Sequence, residues 1–140
     1  MSEPGISFAK LDRDTSERFV PLRKPLGVSA FGINQLTLQP GQSMRVHVHE
    51  HQEEVYLVLA GELTVVVEGT ERVLRPDELL RVAPPVKRQL LNAGTEPTTL
   101  IALGGTGDHQ SRDALAWPDW ESAATEPGRS PQEVPLPPDR

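Results

Sequence analysis

Short apolar segments separated by turn residues fill the chain from Phe31 to Leu103, and no helical period is sustained there. Several segments alternate apolar and polar residues, which is typical of strands that bury one face. Pairs such as Pro40-Gly41 and Pro76-Asp77 supply the turns between them. The predicted strands are Phe31 to Gln39, Ser43 to Val48, Val55 to Ala60, Leu63 to Glu68, Glu71 to Leu74, Leu79 to Val82, Lys87 to Leu91 and Thr98 to Leu103. Many short strands at this spacing predict an all-β sandwich or barrel.

Two histidines and a carboxylate lie close together in the first half of this pattern. His47 and His49 stand at i and i+2, so a strand would direct both imidazoles to the same face. Glu54 opens the next predicted strand, whereas Glu53 would point to the opposite face. Two imidazoles and one carboxylate form a donor set that suits Fe, Mn, Ni or Zn with open coordination positions.

The spacing around these residues resembles the first motif of the cupin superfamily. That motif is glycine, five residues, His-x-His, three or four residues, Glu, six residues and glycine, and Gly41, His47, His49, Glu54 and Gly61 occupy its fixed positions. The resemblance covers about half of the chain. It implies a double-stranded β-helix, or jelly-roll barrel, in which the two histidines and Glu54 bind a divalent metal ion.

The second cupin motif is degenerate in this sequence. Counted back from Asn92, the family histidine should lie at position 88, where this chain has Arg88, and Pro-x-Gly should lie where it has Ala83-Pro84-Pro85. A guanidinium stays charged and has no lone pair to offer a metal. The resemblance therefore supplies three ligands and lacks the fourth.

Arg88 leaves two arrangements open. If it points inward, it can pair with Glu54 or with an anionic ligand, because its planar fork matches a carboxylate or phosphate. If it turns aside, the three remaining ligands suffice, with water completing the shell. His51 or Gln89 could supply a fourth donor, although neither has the family spacing.

Three functions are compatible with these residues, and whether the chain is an enzyme stays open. The first is a metalloenzyme that acts on a small anionic organic substrate, with Arg88 orienting the substrate and Tyr56, on the same face as Glu54, available to bind it. The second is a non-catalytic binding or sensing module in which an Arg88–Glu54 ion pair replaces the metal. The third is a metal-independent epimerase or isomerase that uses His49, Glu54 and Tyr56.

Length and composition limit the remaining possibilities. The 140 residues suffice for one domain, and the absence of cysteine excludes disulfides and thiolate metal sites. The net charge of −6 argues against a general nucleic-acid surface. We expect a cytoplasmic protein without membrane association, because neither a signal-peptide pattern nor a long apolar run is present. The family resemblance suggests a homodimer that binds a small-molecule ligand.

The predicted organisation is a barrel over 31–104 that is flanked by less regular segments. An N-terminal arm over 1–30 packs on the barrel, and the barrel is followed by a C-terminal arm over 105–125 and a proline-rich tail over 126–140. In the C-terminal arm, Asp113 to Ala124 is predicted to form one or two helical turns, with Trp117 and Trp120 packing back on the barrel. His109 is expected to be exposed. The tail has few apolar residues and is predicted to be extended or disordered.

Overall fold

The computed structural model describes residues 5–105 and 113–140, and these residues form two five-stranded antiparallel sheets that face each other. The elements are β1 (Phe19–Pro21), α1 (Arg23–Leu26), β2 (Gly32–Leu38), β3 (Val46–His49), β4 (Glu53–Ala60), β5 (Leu63–Val67), β6 (Thr70–Leu74), β7 (Leu79–Val82), β8 (Arg88–Leu91), β9 (Thr98–Gly105), β10 (Ala114–Trp117), α2 (Trp120–Thr125) and a 3-10 helix (Pro131–Glu133). One sheet has the order β1-β2-β9-β4-β7, and the other has the order β10-β3-β8-β5-β6. The predicted all-β fold is confirmed.

The alternation seen in the sequence produces the core between the two sheets. On β2, Leu36 and Leu38 point inward and join the main hydrophobic cluster, while Gln35 lies on the other face. The Gln35 side chain exchanges two hydrogen bonds with the backbone of Asp12, so the N-terminal arm covers this face. Val58 on β4 and other inward residues complete the same cluster. Each sheet therefore contributes one apolar face to a shared interior.

The segment that begins at Asp113 differs from its prediction. The helical prediction is wrong for Ala114–Trp117, which is strand β10 and pairs antiparallel with β3. The helix is confined to α2, where Asp119 accepts a hydrogen bond from the backbone N–H of Ser122 and so caps the first turn. Ala-Leu-Ala-Trp is too short to show a period of its own, and the free edge of β3 determines its conformation.

The proline-rich tail, predicted to be extended or disordered, lies against the barrel in the structure. Arg129 and Ala116 exchange backbone hydrogen bonds, and the backbone N–H of Arg140 donates to the carbonyl of Gly41. Val134 is buried. Composition could not indicate this placement, because one apolar anchor and isolated backbone hydrogen bonds leave no periodic pattern.

Two further observations concern His109 and the helices. His109 lies outside the described residues. No helix within 5–105 or 113–140 has the length and apolar character needed to cross a membrane.

Candidate metal centre

The two histidines reach the interior because β3 alternates. Val46 and Val48 face away from the cavity and pack with Trp117, whereas His47 and His49 line the cavity between the sheets. Their rings meet edge to face with centroids 5.3 Å apart. A strand of four residues thus presents two imidazoles side by side to one space.

Glu54 meets both histidines from the opposite sheet. It lies on the inward face of β4, and its Oε1 and Oε2 atoms are 3.5 Å from His47 Nε2 and 3.2 Å from His49 Nε2, respectively. One donor atom from each of the three residues lies within 4.8 Å of the others. Glu53 points outward and pairs with the exposed Arg81. The structure therefore brings together the three residues that the sequence singles out.

The separations between these atoms suit a metal ion. Around an ion with bonds of about 2.1 Å, neighbouring donors in tetrahedral or octahedral geometry lie roughly 3.0–3.4 Å apart. The two separations from the Glu54 oxygens, 3.5 and 3.2 Å, are close to that range. Two nitrogens and one carboxylate are also the donor types that Fe, Mn, Ni and Zn accept. The residues present therefore fit such an ion.

The protonation states are also those that a metal site requires. Burial alone would raise the pKa of Glu54, but hydrogen bonds from His47 and His49 hold it well below its ordinary value, so Glu54 is a carboxylate. Burial lowers the pKa of His47, so its imidazole is neutral and keeps a lone pair. Burial and the charge of Glu54 raise the pKa of Tyr56, which therefore stays protonated and donates its hydroxyl to Glu54 Oε1.

Arg88 lies directly behind this centre. It pairs with His47 across β8 and β3, and its side chain is fully buried. The guanidinium donates to Glu54 Oε1 at 2.8 Å, to the Tyr56 hydroxyl at 3.0 Å and to the carbonyl of Val86 at 2.8 Å. The inward alternative for Arg88 is thus the observed one. Arg88 is absent from the residues that line the cavity, and its predicted contact with a substrate stays a prediction.

Neither suggested fourth donor faces the three-residue centre. The His51 side chain is largely exposed, and its Nδ1 bonds Asp113 at 2.9 Å. The Gln89 side chain donates to the Met44 carbonyl and accepts from the indole N–H of Trp120. Any remaining coordination positions would therefore open toward the cavity.

Asp113 is a site residue that sequence reasoning missed. Its Oδ2 atom lies 3.8 Å from His49 Nδ1, and its carboxylate accepts hydrogen bonds from the backbone N–H groups of His51 and Gln52. Burial alone would raise the pKa of Asp113, but these backbone bonds hold it below its ordinary value. The 3.8 Å separation is too long for a hydrogen bond, and His49 Nδ1 is a buried nitrogen without a hydrogen-bond partner among the described residues, so Asp113 acts on this ring through its negative charge. Only the pairing of Ala114 with His49 brings Asp113 here, and no motif spacing indicates it.

The centre opens into a cavity of about 610 Å³, a size typical of small-molecule sites. The wall around the centre is mainly apolar and includes Leu36, Met44, Leu90 and Ala102. Tyr56 lines it beside Glu54. The cavity is therefore suited to a small organic ligand that has an apolar body and a few polar groups.

Fold and site together define a cupin. Residues 34–104 match the family model described as "Cupin domain", so the chain belongs to the cupin family, as the first motif indicates. The mannose-1-phosphate guanylyltransferase of Escherichia coli is 25% identical over 89 residues, a match that covers 64% of this chain and 19% of that protein. This chain thus spans about a fifth of the length of the curated relatives it matches.

Solved structures show the same fold. A cupin protein from Bacteroides fragilis superposes with a TM-score of 0.66 at 22% identity, covering 73% of this chain and 85% of that one. A sugar phosphate isomerase of the cupin superfamily from Silicibacter pomeroyi gives a TM-score of 0.61 at 23% identity, covering 80% and 74% of the two chains. At these identities the similarity supports the fold alone.

Proposed function

We propose that this chain is a metal-binding cupin in which His47, His49 and Glu54 hold a divalent cation, and that the cavity beside it accepts a small anionic organic substrate. Fe, Mn, Ni and Zn are the candidate ions. The convergence of two imidazole nitrogens on the two oxygens of one buried carboxylate, at 3.5 and 3.2 Å, carries the proposal. When bound, such an ion would polarise a substrate carbonyl or a water molecule as a Lewis acid.

The residues around Glu54 support this role because they bind one oxygen of its carboxylate and leave the other oxygen available. Arg88 and Tyr56 both donate to Oε1, which fixes the side chain and leaves Oε2 directed toward His49. The neutral imidazole of His47 and the ring of His49, whose Nε2 lies 3.2 Å from Glu54 Oε2, complete the donor set. The apolar wall excludes water from part of the ligand's surface.

Metal content of matched variants tests the proposal. The purified protein, loaded in turn with each candidate ion and then dialysed, should retain close to one ion per chain by elemental analysis. His47→Ala and His49→Ala should each abolish retention. His51→Ala is the matched control, because it removes a nearby imidazole that is exposed and bonded to Asp113. Retention of a negligible fraction of any ion, or equal loss in the His51 variant, would contradict the metal assignment.

A second candidate, a binding or sensing module that works without metal, is favoured by the Arg88–Glu54 ion pair. That pair already balances the charge of Glu54 in the buried site. In that case a small acid should bind equally well to metal-free and metal-loaded protein, and no turnover should accompany binding. The metal-independent isomerase has weaker support, because the raised pKa of Tyr56 makes its hydroxyl a poor proton donor.

The curated relatives inform only the choice of test compounds. They are named for enzymes of a phosphorylated sugar, and the matched region is a small part of each, so guanylyl transfer is not assigned to this chain. Sugar phosphates belong among the first compounds to be tested. The homodimer and the cytoplasmic location stay predictions, and light scattering of the purified protein would test the former.

A further inference from the structure

Charged residues around the cavity are unevenly partnered. Both acidic residues that line it are engaged, Glu54 by a buried guanidinium and Asp113 by a histidine and two backbone N–H groups. Three basic residues also line it, namely Arg23, Lys24 and Arg45. Within the described part of the chain, none of the three forms an ion pair with a carboxylate. The cavity therefore has unbalanced positive charge in a chain whose net charge is −6.

Arg23 shows the imbalance most directly. Its Nε atom is buried, and it has no hydrogen-bond partner among residues 5–105 and 113–140. A buried guanidinium nitrogen without a partner is costly, so such a group is normally satisfied by a ligand or by water. Arg23 lines the cavity, which places this unsatisfied donor beside the space a ligand would fill.

Arg45 adds a second cation without an acidic partner. Its Nε donates to the carbonyl of Val134, which anchors the side chain to the ordered tail. Burial and the nearby positive charge of Arg18 both lower the pKa of Arg45. A phosphate oxygen bound beside Arg45 would offset this positive charge and would be held by donors of the planar guanidinium.

The order along the chain connects these cations to the proposed metal centre. Arg45 lies two residues before His47, and both line the same cavity. Two residues of extended chain span roughly 7 Å. Arg23 and Lys24 begin the short helix α1, which follows the edge strand β1 of the other sheet. A ligand of a few carbon atoms is therefore long enough to reach from the centre to Arg45, and the same cavity is lined by Arg23 and Lys24.

We propose that Arg23, Lys24 and Arg45 form a subsite for the phosphate group of a small phosphorylated organic ligand whose other end lies at the proposed metal centre. The inference rests on the proposed function only for that second end. A phosphate monoester carries about −1.5 to −2 charges and three acceptor oxygens, which match three cations that lack acidic partners. A single carboxylate would leave part of this charge unbalanced.

Calorimetric titration of metal-free and of metal-loaded protein with glycerol 3-phosphate tests the subsite. Arg23→Gln and Arg45→Gln should each weaken binding by about tenfold or more, since each removes a charge-assisted hydrogen bond. Arg72→Gln, the same change on the exposed strand β6, is the matched control and should leave affinity unchanged. Arg45→Lys should restore part of the loss, which separates charge from any disturbance of the tail. Malonate and glycerol serve as the dicarboxylate and neutral comparisons, and both should bind more weakly.

The outcomes distinguish this inference from the metal assignment. If phosphate affinity is the same in the Arg23 and Arg45 variants as in the parent protein, or if malonate binds as tightly as glycerol 3-phosphate, the phosphate subsite is refuted, whatever the metal content. If the variants lose phosphate binding in metal-free protein while no cation is ever retained, the subsite stands and the metal assignment fails.

Discussion

Replacing the buried Arg88 by methionine should raise the affinity for divalent cations while it destabilises the metal-free protein. The guanidinium is fully buried and lies 2.8 Å from the Glu54 carboxylate. It therefore offsets the only negative charge among the proposed ligands. Methionine fills a similar volume without charge, so the variant removes the competing cation and keeps the apolar contacts.

The expected size of both effects follows from the geometry. An ion held on the free oxygen of Glu54 would lie roughly 5 Å from the guanidinium. At that separation, the repulsion between a unit charge and a double charge is about 2 kcal/mol for an effective dielectric constant of about 80 and about 7 kcal/mol for one of about 20. Even the lower limit corresponds to a gain of roughly 15- to 30-fold in affinity. Without the metal, Glu54 is left buried and uncompensated, which should cost about 3–5 kcal/mol of unfolding free energy.

Two measurements check the Arg88 prediction against a matched variant. Competition with a chromophoric chelator gives the metal dissociation constant, and urea unfolding with and without metal gives the stability. Arg81→Met removes an exposed arginine of β7 that pairs with Glu53, the neighbour of Glu54 on β4. It should change either quantity little, because exposed ion pairs contribute about 0–1 kcal/mol. Unchanged or weaker metal binding in Arg88→Met would refute the electrostatic reasoning.

Three further changes probe the supports of the site and the fold. Asp113→Asn should weaken metal binding by roughly tenfold, measured by the same competition assay, because a negative charge 3.8 Å from His49 Nδ1 is lost. Gly61→Ala should lower the free energy of unfolding in urea by clearly more than Gly69→Ala. Both glycines have positive φ, but a Cβ at position 61 would overlap a backbone carbonyl, whereas a Cβ at position 69 would meet open space. Val134→Ala should lower the free energy of unfolding by about 1–3 kcal/mol. Leu136→Ala, at a more exposed position, should change it by no more than about 0.5 kcal/mol. Equal effects of the two substitutions would argue against the packed tail.

The barrel could be predicted from the sequence because its determinants are local. Turn residues and alternation indicate each strand from β2 to β9, and the structure has all of them with slightly shifted ends. The three proposed ligands follow from fixed spacing within one short segment, since the fold converts a spacing of two on a strand into a shared face. The pairing of Arg88 with Glu54 was one of two open alternatives, because spacing does not specify a rotamer.

The remaining parts of the site depend on pairing between distant segments. Asp113 reaches His49 only because β10 adds to the edge of β3, and the four residues of β10 have no distinctive pattern. The cations that line the cavity likewise come from distant segments, since Arg23 follows the edge strand β1 of one sheet and Arg45 directly precedes β3 of the other. Tertiary pairing, not local propensity, determines which charges share a cavity.

The position opposite His47 decides what kind of centre this barrel can hold. Where the cupin motif would bring a third imidazole to the metal as the fourth ligand, the same backbone register brings Arg88. Its guanidinium and the Tyr56 hydroxyl both donate to Glu54 Oε1. A cation in the proposed site would then be bound by one free carboxylate oxygen and two imidazole rings, with the positive charge of Arg88 on the other side of the carboxylate. Such a site should bind metal more weakly than a four-ligand one and keep more coordination positions open to the cavity. Coordination positions that open toward the cavity are consistent with a centre in which the ligand in the cavity contributes to holding the ion.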